Sequence, residues 1–153
     1  MPMKNRYFNA HYERAIAGIG KPLFARGREG LAKMLRFLKT GGMVGLVADQ
    51  YMNRGAPLTF FGKPAPTALS AAEMALKYNA LLVPIYGVRQ PDGLSFRLFV
   101  DAPVAPSDAL TMTQALNDSL EAAVRSNMGQ WFWIHRRWKP ERQRARAAAR
   151  TGP

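Results

Sequence analysis

Apolar residues recur at helical spacing in three stretches of this 153-residue chain. Over residues 28–40, leucines and a methionine alternate with basic residues and a glycine pair follows, which predicts an amphipathic helix. A second helix is predicted over residues 67–78, with Thr67 as its N-cap. A third is predicted to begin at Ser107 or Asp108 and to end near Met128, because its apolar residues repeat every four positions.

Short apolar runs bounded by turn-forming residues predict three strands. Residues 43–48 and 81–88 are continuous apolar runs, as expected for buried strands, and residues 94–100 alternate between apolar and polar. The turn sequence at residues 90–93 predicts that the last two strands form a hairpin. Residues 51–66 are rich in Gly, Pro and Asn and are predicted to be a long loop. The order of these elements predicts an α/β fold.

Ligands in α/β sheets bind beyond the carboxyl ends of the strands. Asp49 and Gln50 follow the first predicted strand, so the loop that they open is the place where the sequence predicts chemistry. The carboxylate of Asp49 either caps a neighbouring turn or lines a site with Arg26 or Arg54 as its counter-ion. Arg26 precedes the first predicted helix, where it either helps to hold an anionic group or is solvated.

Charge and composition narrow the classes of function. The chain carries 22 basic and 10 acidic residues, a net charge of +12, of which residues 1–66 contribute +8, residues 67–135 −2 and residues 136–153 +6. This asymmetry indicates an anionic partner, such as nucleic acid, an anionic membrane surface or a phosphorylated substrate, or else a solvated basic surface. The absence of cysteine excludes disulfides and thiolate nucleophiles, and with two histidines far apart we expect no metal site and no cofactor.

An aromatic and basic segment, Gln-Trp-Phe-Trp-Ile-His-Arg-Arg-Trp-Lys, occupies residues 130–139. Three interpretations stay open on its residues alone. Arginines interleaved with aromatic rings suit single-stranded nucleic acid, and they also suit a membrane interface. In the third interpretation the tryptophans are packed and the basic residues are solvated.

Four segments together resemble the lipid A biosynthesis lauroyl/myristoyl acyltransferase family of Gram-negative bacteria. They are Gly-Leu-Val-Ala-Asp-Gln at 45–50, Phe-Phe-Gly-Lys-Pro-Ala-Pro-Thr at 60–67, Leu-Val-Pro-Ile at 82–85, and residues 130–139. The resemblance covers residues 1–140 and leaves a basic Arg/Ala-rich tail at 141–153. It implies part of a glycerolipid-acyltransferase-like fold, with a central mixed sheet flanked by helices.

The resemblance implies an O-acyltransferase that moves a fatty acyl chain from acyl carrier protein to a hydroxyl of a lipid A precursor. It implies that the protein acts at the cytoplasmic face of the bacterial inner membrane, in contact with the anionic membrane surface, and that nucleic acid is not a partner. Phe24-x-Arg26 resembles a motif associated with the acceptor's phosphate, and Asp49-Gln50 falls at a second site motif. The candidate substrate-binding residues are Arg26, Asp49, Gln50, Arg54, His135, Arg136 and Arg137.

The resemblance also implies a catalytic histidine with an acidic residue five positions later, and this sequence holds no such pair. The fifth residue after His11 is Ile16, and the fifth after His135 is Pro140. We therefore expect this chain to be a C-terminal portion that is inactive alone. The alternatives are a basic module that binds nucleic acid or an anionic membrane without catalysis, and an acyltransferase for simpler phospholipid acceptors.

Overall fold

The computed structural model describes residues 5–25 and 27–138, which contain four α-helices and four strands. The elements in chain order are α1 (Arg6–Ile19), α2 (Arg28–Lys39), β1 (Ala56–Phe60), β2 (Lys63–Thr67), α3 (Ser70–Tyr78), β3 (Ile85–Arg89), β4 (Phe96–Val100), α4 (Ala109–Ser126) and a 3-10 turn (Met128–Gln130). The chain divides into two compact units, Met1–Gly45 and Leu46–Pro153. The basic tail at 141–153 and Arg26 lie outside the described residues.

The first unit holds α1 and α2. Helix α2 confirms the prediction made from its periodic apolar residues. Helix α1 was not predicted, although its N-cap has a recognisable signal: the Asn5 side chain accepts from the backbone N–H groups of Tyr7 and Phe8. In α2, a side chain at Gly30 would place its Cβ 1.7 Å from the carbonyl oxygen of Ala25, so only glycine fits there.

The predicted strand at residues 43–48 is wrong. These residues form neither strand nor helix, and the side chains of Met43 and Val47 are 87% and 79% exposed. A strand requires a hydrogen-bonded neighbour, and none pairs with this run among the described residues. Asp49 therefore does not lie at the carboxyl end of a strand, as the sequence predicted.

The predicted loop at 51–66 is also wrong, because it contains a β-hairpin. Strands β1 and β2 pair antiparallel with Ala56 opposite Thr67 and Phe60 opposite Lys63. Their two-residue turn, Phe61-Gly62, has φ values of 51° and 67°, as type I′ turns require. Prolines in both strands concealed the hairpin, yet a two-stranded ribbon tolerates them on its outward edges.

Helix α3 confirms the prediction of a helix before Tyr78, but Thr67 is not its cap. The helix begins at Ser70, and its N-cap Leu69 makes no capping hydrogen bond through its side chain. Thr67 is instead the last residue of β2, and its hydroxyl group is used in the interior.

The β3–β4 hairpin and α4 confirm two further predictions, but the expectation of a buried strand over 81–88 is wrong. The strand begins only at Ile85, and none of its residues is buried. The turn between β3 and β4 is closed by Asp92, whose carboxylate accepts from the N–H groups of Leu94 and Ser95. Helix α4 is capped by Asp108. The described part is thus mixed α/β, but it has two separate two-stranded antiparallel sheets, so the expectation of one central mixed sheet is wrong there.

Helix α4 lies at the centre of the second unit, with β1 on one side and α3 on another. One cluster of buried residues joins α4 to the first hairpin: Phe60, Ala65 and Val124, with Phe61, Leu120, Trp131 and Trp138 packed against it. A second joins α4 to α3: Ala72, Ala75 and Met112, with Leu82, Val104 and Ala109 around it. No helix in ranges 5–25 and 27–138 is long and apolar enough to cross a membrane.

Candidate substrate-binding site

The segment after α4 folds back onto the β1–β2 hairpin with some side chains inward and others outward. Trp131, His135 and Arg137 are half-buried or buried, whereas Phe132 and Ile134 are exposed. The backbone here is a series of tight turns, one of which is closed by the His135 N–H donating to the carbonyl oxygen of Phe132 at 3.0 Å. The segment therefore presents one set of side chains to the interior and another to solvent.

Arg137 is fully buried and ties this segment to both β2 and α4. Its Nη1 donates to the carbonyl oxygen of Pro66 at 2.9 Å, and its Nη2 donates to Oγ1 of Thr67 at 2.7 Å and to Oδ1 of Asn117 at 3.3 Å. The guanidinium carbon lies 5.6 Å from the centre of the Phe60 ring, within range of a cation–π interaction. Three protein acceptors and an aromatic ring thus surround one buried cation.

Asp49 supplies the negative charge that acts on the Arg137 guanidinium. Burial lowers the pKa of the Arg137 guanidinium, and the negative charge of Asp49 raises it in opposition. Oδ1 of Asp49 is itself buried and has no hydrogen-bond partner in the described part of the chain. Asp49 therefore compensates the charge of the buried guanidinium. Its Oδ1 does not cap a turn, because that oxygen accepts no hydrogen bond in the described residues.

His135 joins the same site through the backbone of Tyr51. The Tyr51 N–H donates to Nε2 of His135 at 3.1 Å, so the neutral ring carries its proton on Nδ1. In this arrangement Nε2 is occupied and is not free to accept a proton from a hydroxyl. The contact places residues 49–51 beside residues 135–137, so three of the predicted site residues, Asp49, His135 and Arg137, come together.

The other predicted site residues lie at the surface or outside the description. Gln50, Arg54 and Arg136 are exposed, and Arg54 lies in a turn before β1. Nothing is described for Arg26, so its part in substrate binding stays a prediction, as it does for the other six residues. No group of three acidic, histidine or cysteine side chains fit for a metal ion occurs in the described ranges.

Hydrogen bonding is incomplete at three buried side-chain atoms within the described residues. They are Oδ1 of Asp49, Nε of Arg137 and Nε1 of Trp131. All three residues belong to the segments that carry the family resemblance, at 45–50 and 130–139.

The turn at Phe61 is a functional candidate that sequence reasoning missed. Phe61 adopts φ of 51°, a left-handed conformation that is costly for an aromatic residue. Its N–H donates to Glu121, and the guanidinium of Arg125 lies 4.6 Å from its ring centre. Glu121 also pairs with Arg125 at 2.6 Å, and the hydrogen bonds from Arg125 and from the Phe61 N–H lower the pKa of Glu121. The Glu-Arg spacing of four residues on α4 was the available signal.

Aromatic rings fill the space between the turn and residues 131–138. Phe60 stacks on Trp138 at 5.4 Å and meets Trp131 edge-on at 5.3 Å, and Trp138 Nε1 donates to the carbonyl oxygen of Phe60 at 3.1 Å. Trp133, which is 44% exposed, lies 4.8 Å from Trp131. Trp131 and Trp138 are therefore committed to packing, and Trp133 is the tryptophan with the most exposed ring.

Comparison with known proteins places these features in a family. A sequence model described as bacterial lipid A biosynthesis acyltransferase matches residues 1–140. The chain is 31% identical over 119 residues to the lipid A biosynthesis lauroyltransferase of Escherichia coli K12, covering 73% of this chain and 39% of that protein. It is 23% identical over 128 residues to a phosphatidylinositol mannoside acyltransferase of Mycobacterium tuberculosis (strain CDC 1551 / Oshkosh), covering 83% of this chain and 40% of that protein.

The chain thus spans about two fifths of the length of the curated relatives that it matches. The family match reaches through all described elements, from α1 to the buried Arg137. This chain belongs to the bacterial lipid A biosynthesis acyltransferase family.

Proposed function

We propose that this chain forms part of an O-acyltransferase that moves a fatty acyl group from acyl carrier protein to a hydroxyl of a lipid A precursor. The observation that carries the proposal is the convergence of Asp49 with His135 and Arg137, which brings together two separate resemblance segments, 45–50 and 130–139. The family membership supports the same chemistry. We also propose that the described elements are part of a glycerolipid-acyltransferase-like fold.

Within this site the residues divide into two roles. Arg137 and Asp49 are interior groups that hold residues 49–51 against residues 135–137, so they position the site. We assign contact with an anionic acceptor, such as the phosphate of a glucosamine lipid, to the exposed residues Gln50, Arg54 and Arg136. The net charge of +12 favours both that acceptor and an acidic carrier protein.

The reaction requires a base. The acceptor oxygen bonds to the thioester carbonyl carbon as the hydroxyl proton passes to the base. The carbon–sulfur bond then breaks, and the leaving thiolate takes that proton back from the base to give the carrier thiol. His135 is held by Tyr51, and His11 is followed five residues later by Ile16. We therefore propose that the base comes from residues outside this sequence and that this chain alone gives no turnover. The proposed place of action is the cytoplasmic face of the inner membrane.

A chimera tests the proposal. Residues 1–140 would replace the matching segment of the Escherichia coli lauroyltransferase, and the chimera and the isolated chain would each be given acylated carrier protein and a lipid A precursor. We expect acyl transfer by the chimera, none by the isolated chain, and reduced transfer by the chimera carrying Arg54→Ala and Arg136→Ala. Turnover by the isolated chain would contradict the external base. If a folded chimera acylates only a lysophospholipid, the proposed lipid A acceptor is wrong and the acceptor is a simpler phospholipid.

A further inference from the structure

Four large apolar side chains are exposed within seven residues after α4. We name Met128, Phe132, Trp133 and Ile134 the apolar ridge; their exposed fractions are 50%, 64%, 44% and 81%. Scattered exposed apolar residues are ordinary on protein surfaces, but several in one short segment indicate an interaction site. The ridge is therefore a candidate docking surface.

The backbone beneath the ridge is firmly held. Trp133 Nε1 donates to the carbonyl oxygen of Met128 at 2.7 Å, and the His135 N–H donates to the carbonyl oxygen of Phe132 at 3.0 Å. Buried Arg137 anchors the same segment from within. Since the inward side chains are fixed in the core, the outward apolar side chains are presented to solvent in a defined arrangement rather than by fraying of a chain end.

Positive charge follows the ridge in the sequence. Arg136 comes two residues after it and is exposed, whereas Arg125, before it on α4, is paired with Glu121. Residues 136–153 carry seven basic side chains, of which Arg137 is buried, and one acidic side chain. Exposed Trp, Phe and Ile followed by a basic run match the two layers of an anionic bilayer surface, with apolar acyl chains beneath negatively charged headgroups.

We propose that the apolar ridge inserts into the headgroup region of an anionic bilayer and holds this chain at the membrane surface. The proposal rests on the proposed function, whose lipid acceptor lies in a membrane, and it assigns the contact to Phe132, Trp133 and Ile134. A protein partner would account for the exposed aromatic residues, but the basic run beside them favours an anionic lipid surface.

Vesicle binding by the full 153-residue chain tests this assignment. The chain would be co-sedimented with vesicles of phosphatidylethanolamine and phosphatidylglycerol, and with vesicles of phosphatidylcholine alone. We expect binding to the anionic vesicles that weakens at high salt, and about a tenfold or greater loss of the partition coefficient in F132S/I134S, because two apolar side chains are removed from the bilayer. Trp133→Phe should remove most of the blue shift in tryptophan emission on binding.

A matched control variant distinguishes insertion of the ridge from nonspecific adsorption through other exposed apolar side chains. Leu94 and Leu98 are 87% and 69% exposed, similar to Ile134 and Phe132, and they belong to a second exposed apolar run at residues 94–100. That run differs from the ridge in charge, because residues 85–101 carry two arginines and two aspartates. L94S/L98S should retain vesicle binding within about twofold. Equal losses in the two double variants would overturn the proposal, as would full binding by F132S/I134S. Unchanged near-ultraviolet circular dichroism in both variants confirms that folding is intact.

Two further outcomes also count against insertion. Failure of the unaltered chain to bind anionic vesicles would overturn it, and so would binding of a single-stranded oligonucleotide in place of vesicles. Vesicle binding needs no turnover, so the two proposals can fail separately. Failure of vesicle binding would not contradict acyl transfer by the chimera, and failure of acyl transfer would not contradict vesicle binding.

Discussion

Nη2 of Arg137 donates a hydrogen bond of 2.7 Å to Oγ1 of Thr67, a residue 70 positions earlier in the chain. The same hydroxyl donates to the carbonyl oxygen of Ala65 at 2.7 Å and accepts from Nδ2 of Asn117 at 3.2 Å. One buried hydroxyl thus joins β2, α4 and the segment after α4. The candidate site depends on this junction, because it fixes residues 135–137 against the hairpin.

Replacing Arg137 should therefore destabilise the fold. In Arg137→Met, three acceptors each lose a hydrogen bond and the Asp49 charge loses its compensating cation, and we expect a loss of about 3 kcal/mol in the free energy of unfolding. Urea unfolding followed by tryptophan fluorescence measures it, since Trp131 and Trp138 are packed on the same Phe60 ring.

The neighbouring arginine is the matched control. Arg136 is exposed, so Arg136→Met should change the free energy of unfolding by no more than about 0.5 kcal/mol. Equal effects of the two substitutions would contradict the interior role of Arg137. A loss below about 1 kcal/mol for Arg137→Met would do the same.

The hairpin turn supplies a second prediction. Gly62 has φ of 67°, and a Cβ added there would meet no atom within 4 Å, so Gly62→Ala carries a backbone cost and no clash. We expect a loss of about 1 kcal/mol in the free energy of unfolding. Gly129 is equally open but has no positive φ, so Gly129→Ala should be neutral or slightly stabilising. Thermal unfolding of both variants measures the difference. Similar unfolding midpoints for Gly62→Ala and Gly129→Ala would contradict the left-handed conformation of the turn.

Periodicity was sufficient to predict α2 and α4, because each helix turns part of the apolar stripe in its sequence away from solvent. The β3–β4 hairpin followed from its turn residues, although all five residues of β4 are exposed. Periodicity failed at residues 43–48, since apolar content shows that a run can be buried but not whether a neighbouring strand exists to pair with it. It failed again at the β1–β2 hairpin, where prolines and an aromatic residue at a left-handed position contradict the usual signals for strand and turn.

The candidate site was less accessible to sequence reasoning than the fold. Asp49 and Arg137 are far apart in the chain, and only their resemblance segments suggested a common role. Two adjacent arginines differ in burial: Arg136 is exposed and Arg137 is buried. Composition cannot separate them, because the difference comes from the turns of this segment and from acceptors supplied by β2 and α4.

Acid should weaken the fold partly through Glu121. Its pKa is lowered in the folded chain, first by the Arg125 hydrogen bond and then by the Phe61 N–H, so its contribution is present above the ordinary carboxyl pKa of about 4.3 and is lost as pH falls through the lower folded value. Asp92 and Asp108, whose pKa values are lowered by capping hydrogen bonds, act in the same direction.

The variant Glu121→Gln isolates that contribution. It keeps an oxygen acceptor for the Phe61 N–H but cannot titrate, so its free energy of unfolding should fall less steeply between neutral and acidic pH than that of the unaltered chain. Arg125→Met should flatten the acid limb as well, since it removes the principal cause of the lowered pKa. Urea midpoints measured across this pH range provide the comparison, and parallel curves for all three proteins would contradict it.

The coupling between Asp49 and Arg137 yields the sharpest prediction. Asp49 carries the charge that opposes the effect of burial on Arg137, and its own Oδ1 is buried without a partner in the described residues. Asp49→Asn should therefore destabilise the unaltered chain, which keeps the buried cation, but stabilise Arg137→Met, in which the carboxylate is left without a compensating charge. A double-mutant cycle should give a coupling of about 1 kcal/mol or more. Asp92→Asn, on the β3–β4 turn, should be additive with Arg137→Met within about 0.5 kcal/mol. If Asp49→Asn has the same sign in both backgrounds and its effects add, the two residues are independent, and the site loses the charge pair that holds residues 49–51 to residues 135–137.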